Sequence, residues 1–118
     1  MTTFTGTSGD DTANAATGQL IGFTGGTVAD LQDDVADQFV GLGGADLVVA
    51  SNAGFRLIGG DGADEMHGGS DGDTFNFSPG EAEVGEIIDG GDGSDHLLLQ
   101  NGLNDFTVGL AITSIEGI

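Results

Sequence analysis

The chain contains no cysteine, no tryptophan and no tyrosine, and Arg56 is its only lysine or arginine. Without cysteine there is no disulfide framework and no thiolate to serve as nucleophile or metal ligand. Seven phenylalanines are the whole aromatic complement, so a conventional packed core would be poor. No stretch approaches the roughly 18 apolar residues of a membrane span. No positively charged N-terminal region leads into an apolar run, so no cleaved signal peptide is expected. Catalytic signatures are missing as well. There is no H-E-x-x-H and no G-x-S-x-G, and the two histidines, His67 and His96, stand apart.

Positive charge is nearly absent, whereas acidic residues number 20, for a formal net charge of −19. Such a chain repels nucleic acid and anionic membrane surfaces. Divalent cations are its natural counter-charge. At 118 residues it fits the size of one domain. Ordering it costs on the order of 100–200 kcal/mol of conformational entropy, against a narrow set of apolar side chains. A ligand that prefers the folded state would close that gap.

What the chain has in excess is glycine, 24 residues against an average near 7%, and the glycines are periodic. Gly59 to Asn76 reads GGDGADEMH and then GGSDGDTFN, and a third nine-residue copy, GGDGSDHLL, spans Gly90 to Leu98. The shared template is G-G-x-G-x-D-x-U-x, with U large and apolar. Glycines at positions 1, 2 and 4 permit a tight six-residue turn. Position 6 supplies a hard carboxylate oxygen beside the turn's own carbonyls, a donor set that suits calcium, which takes about 6–8 oxygens. Positions 7 to 9 form a short strand with position 8 inward. Two units make one coil, so turns two units apart would stack with an ion between them.

These residues resemble the repeats-in-toxin (RTX) family, the calcium-binding modules of bacterial secreted proteins. The resemblance rests on Gly59, Asp64 and Met66, on Gly68, Asp73 and Phe75, and on Gly90, Asp95 and Leu97. A weaker copy, GTSGDDT, runs from Gly6 to Thr12. The fold it implies is all-β: a parallel β-roll, a right-handed β-helix solenoid of nine-residue repeats with irregular caps. It also implies export without a cleaved signal, by type I secretion, and an extracellular location.

The frame predicts an irregular N-terminal cap over residues 1–31 and continuous repeats over 32–76. Position 8 there is Phe39, Val48, Leu57, Met66 and Phe75; position 6 is Asp37, Asp46, Phe55, Asp64 and Asp73. The FSPG run at 77–80 interrupts the frame. Repeats resume over 81–118 with Ile88, Leu97, Phe106 and Ile115 inward, while position 6 decays through Glu86, Asp95, Asn104 and Thr113. Val40, Val49 and Ile58 at position 9 are expected to lie under residues 1–31.

Pairing units two apart gives Asp46 with Asp64 as the best metal site and Asp73 with Asp95 as the second. Asp64 with Glu86 lacks the turn glycines, and Asp37 with Phe55 should fail. The candidate metal residues are Gly44 and Asp46; Gly60, Asp61, Gly62 and Asp64; Asp71 and Asp73; and Gly91, Asp92, Gly93 and Asp95. Asp61 and Asp92 are expected to contribute carbonyls only. Asp71 is either a ligand or a turn former. Two or three calcium ions are expected.

The function expected is a calcium-binding module, disordered at low calcium and folded outside the cell. Alternatives are an accessory domain of a secreted protease, lipase or polysaccharide-modifying enzyme, or a calcium-dependent adhesin module. Partners would be neighbouring domains of a larger secreted protein, or cell-surface polysaccharide. The chain itself is not expected to be an enzyme.

Overall fold

Eleven three- or four-residue strands among the described residues account for most of the regular structure in a computed structural model of the chain. The structure describes residues 2–33, 35, 37–51, 53–77, 85–99 and 111–113. The first sheet contains β1 (Thr3–Thr5), β4 (Gln38–Val40), β6 (Arg56–Ile58), β8 (Thr74–Phe77) and β10 (His96–Leu99), hydrogen-bonded in that order. The second contains β2 (Thr12–Asn14), β3 (Gln19–Ile21), β5 (Leu47–Val49), β7 (Glu65–His67), β9 (Ile87–Asp89) and β11 (Ala111–Thr113), in the order β11-β9-β7-β5-β2-β3. All pairs are parallel except β2 with β3.

The strands are short because a glycine-rich turn brackets most of them, and their burial follows the strand period of two. In the first sheet, register stacks Phe4, Phe39, Leu57, Phe75 and Leu97 in one inner row. In the second, Ala13, Val48, Met66 and Ile88 form the facing row. All nine are buried. Phe106 and Ile115, expected inward at the far end, lie outside the described residues.

The expected β-roll solenoid has to be corrected. Among the described residues, the strands gather into a compact globule of two mostly parallel sheets with one four-residue helix. A solenoid needs every segment to continue one winding, and the first third of the chain does not. There β3 folds back antiparallel on β2, and Thr24 makes an antiparallel bridge to Thr5. Helix α1 (Val28–Leu31) follows, closed by a capping box. In it Thr27 Oγ1 accepts from the Asp30 N–H, and the Asp30 carboxylate accepts from the Thr27 N–H at 2.8 Å. Phe23 and Leu31 from this stretch complete the core, Phe23 meeting Phe39 edge-on at 5.9 Å. The radius of gyration is 12.8 Å, as small as the roughly 13 Å of a compact 100-residue globule.

Phe55, which stands where the repeat has aspartate, adds its ring to that core 5.5 Å from Phe39. Val40, Val49 and Ile58 are half-buried.

Candidate functional site

Turns two units apart lie on one another because strand pairing continues into them. Glu65 N–H donates to the Asp46 carbonyl and Ile87 N–H to that of Asp64, both at 2.8 Å; His96 N–H donates to the Asp73 carbonyl at 2.9 Å. This stacking brings Asp46 against Asp64 and Asp73 against Asp95. In each pair the later aspartate's Oδ1 accepts the earlier one's backbone N–H, at 2.9 and 2.7 Å. The same bond joins Asp11 N–H to Asp46 Oδ1 at 2.8 Å, Phe55 N–H to Asp73 Oδ1 at 2.7 Å and Thr2 N–H to Asp37 Oδ1 at 2.9 Å. Two ladders of buried carboxylates result. One contains Asp11, Asp46 and Asp64; the other contains Asp73 and Asp95 and reaches Phe55 through its backbone.

The second oxygen differs from turn to turn. In the 6–11 turn, Asp11 Oδ2 accepts from the N–H and hydroxyl of Thr7. In the 68–73 turn, Asp73 Oδ2 accepts from Gly69 N–H at 2.9 Å. In the 41–46 turn, Asp46 Oδ2 is buried without a hydrogen-bond partner, and Asp37 Oδ2 is in the same condition. Asp46 is 3% exposed, so bulk solvent does not reach this oxygen. A Cβ added at Gly41 would strike both Asp46 Oδ2 and the Gly59 carbonyl oxygen. Two acceptor oxygens thus converge on a backbone position where only hydrogen fits. Oxygens crowded together with no donor are the natural surroundings of a hard cation.

The chain's own cations do not serve this place. Arg56 projects from the outer face of the first sheet. With the Asn76 amide oxygen turned toward it, that oxygen accepts from Arg56 Nε at 3.0 Å and Nη2 at 2.7 Å. His67 lies on the outer face of the second sheet, 3.7 Å from both Glu65 and Asp89 carboxylates. Among the described residues, no three His, Cys, Asp or Glu side chains group so as to hold a metal by themselves. An ion here would therefore draw most of its oxygens from turn carbonyls, with Asp46 as its charged ligand.

Of the other candidates, Asp64, Asp73 and Asp95 are buried, whereas the side chains of Asp61, Asp71 and Asp92 are exposed at the turn tips. Asp61 N–H donates to the Leu42 carbonyl at 2.8 Å. Gly44, Gly60, Gly62, Gly91 and Gly93 have left-handed φ between 78° and 105°, the region that favours glycine. Glu86 is fully buried ahead of β9. Sequence reasoning did not single out Asp11 as a member of the ladder, although GTSGDD has the spacing. It also passed over Leu42, which occupies a position the template reserves for glycine.

Burial pushes the Asp46 carboxyl up to about 6; the Asp11 N–H opposes this and the charges of Asp11 and Asp10 add to it. Asp73 is also raised by burial to about 6, against hydrogen bonds from Phe55 and Gly69 N–H and with the charges of Asp95 and Asp71. Burial raises Asp37 too, the Thr2 N–H opposing. Between the unperturbed value of 3.8 and about 6 these two carboxyls therefore hold more protons in the folded than in the unfolded chain, and their protonation favours folding there. In chelator, the thermal midpoint should rise as pH falls from 7.5 to 5. With calcium the order should reverse, because ligation requires the ionised carboxylate.

Comparison of the chain with protein-family models, with characterised proteins and with solved structures finds no match.

Proposed function

We propose that this chain is a calcium-binding module of the RTX kind, which folds when calcium enters the stacked turns of an extracellular bacterial protein. The reading is supported above all by the Asp46 carboxylate, buried at the motif's sixth position with one oxygen free of hydrogen bonds and facing a carbonyl. Asp46 and the carbonyls of the 41–46 and 59–64 turns would hold one ion. A second ion between the turns bearing Asp73 and Asp95 would have to displace the Gly69 N–H from Asp73 Oδ2 and would enter only at higher calcium. A bound divalent ion supplies positive charge that the sequence lacks, and its binding energy becomes folding energy because the stacked turns do not pre-exist in the unfolded chain. Magnesium is a poor substitute, since it demands octahedral geometry and sheds water reluctantly.

The module would supply stability and a calcium-gated fold to its parent protein, with any catalytic activity residing elsewhere in that protein. Equilibrium dialysis with radiocalcium should find two or three ions per chain, with half-saturation near 10⁻⁴–10⁻³ M, as in extracellular calcium modules. No binding below 10 mM, roughly ten times the upper limit of that range, would refute the assignment.

A further inference from the structure

Leu42 is the only described residue other than glycine with a left-handed backbone, at φ 78°. The region is unfavourable for a bulky side chain, and Leu42 is half-exposed, so no core packing explains the conformation. Its neighbours hold it: Gly43 N–H donates to the Thr7 carbonyl at 3.2 Å, and the Leu42 carbonyl accepts from Asp61 N–H. Backbone strain maintained by its surroundings often marks a functional position.

The equivalent position in other turns indicates what the strain accomplishes. Thr7 and Gly69 occupy position 2 of their turns without left-handed backbone, and both donate their N–H to the Oδ2 of the turn's own aspartate. Leu42 is left-handed, and Asp46 Oδ2 receives nothing. Resting on the calcium reading above, we infer that Leu42 sets how tightly the 41–46 turn takes its ion. Its left-handed backbone carries the position-2 amide away from Asp46 and keeps that buried oxygen open. Because a leucine bears the strain where glycine would bear none, the site binds more weakly than the template allows. This detuning keeps the turn empty until calcium is abundant.

Three variants of the full chain test this by circular dichroism during calcium titration, with dialysis to count ions and thermal melts in chelator. L42G retains the open turn without the strain and should lower the calcium midpoint about fivefold, roughly 1 kcal/mol at 1.4 kcal/mol per tenfold. L42T introduces a β-branched residue disfavoured at positive φ. Once out of that region, its N–H and hydroxyl can close on Asp46 as those of Thr7 do on Asp11. It should bind one ion fewer and melt higher in chelator. L42A retains the strained Cβ but loses the apolar side chain, and should stay within about twofold of wild type. An L42T chain with the full ion count and an unchanged midpoint overturns the inference and leaves the calcium reading standing. So does an L42A shift as large as that of L42G. A wild-type chain that binds no calcium defeats the functional reading itself, and this inference with it.

Discussion

Asp46→Asn is expected to stabilise the chain in chelator and to destabilise it in calcium relative to wild type. The two signs come from the two oxygens of one side chain. Oδ1 accepts the Asp11 N–H, and an amide oxygen can continue to do so. Oδ2 is buried without a hydrogen-bond partner in a place shared with the Gly59 carbonyl, and an amide nitrogen there can donate to that carbonyl. The substitution therefore removes an uncompensated buried charge, a burden on the order of 3 kcal/mol, and adds a hydrogen bond. In calcium the same change deletes the charged ligand, so the calcium midpoint should move up at least tenfold, about 1.4 kcal/mol. Urea unfolding in chelator and in 5 mM calcium, about five times the weak limit for such modules, reads both signs. Replacing Asp33 and Asp34 together should alter neither curve appreciably. Destabilisation by Asp46→Asn in both conditions would mean that the carboxylate is a structural acceptor and nothing more.

Gly41→Ala should be a severely damaging methyl addition in this turn. The new Cβ would meet Asp46 Oδ2 on one side and the Gly59 backbone on the other, and neither can withdraw without unstacking the 41–46 and 59–64 turns. Overpacking of this sort costs about 1–3 kcal/mol or more, and here it would also close the ion's place. Gly43→Ala is the matched control two residues away, because its Cβ would meet only Ser8, at an ordinary 3.5 Å. The Gly41 variant should fail to fold at calcium concentrations that saturate wild type, whereas the Gly43 variant should titrate normally. Equal titrations would show that the turns do not approach as closely as described.

Much of the two sheets is legible in the sequence because the nine-residue step fixes both the strand and the inward residue. Phe39, Val48, Leu57, Met66, Phe75, Ile88 and Leu97 all fall at position 8 and all are buried. The first third is not legible in this way. Phe4 and Ala13 belong to the same inner rows, yet each is 35 residues from its partner, Phe39 or Val48. With β3, the Thr24 bridge and α1 inserted between, no period survives to announce them. That insertion also explains why a pure solenoid was the wrong expectation.

Within the candidate site, the sixth-position aspartates stand out as a set, because a carboxylate at a fixed spacing after glycines is a local signal. Their division into hydrogen-bonded and open oxygens is not local. In the 6–11, 41–46 and 68–73 turns it goes with the backbone at position 2, and Leu42 turns left-handed without the glycine that would have flagged it. Asp11 and Asp73, at equivalent places, are closed by Thr7 and Gly69, so aspartate count alone misjudges which turns are open.

Far-UV circular dichroism and light scattering of the same chain in excess chelator, in magnesium and in calcium test the central claim most directly. If cations hold these acidic turns together, β structure and compactness should increase cooperatively with calcium and not with magnesium, and the chelated chain should be only marginally folded, less compact and lower melting. A chelated chain already as compact as the calcium-loaded one, and melting at the same temperature, would contradict the account.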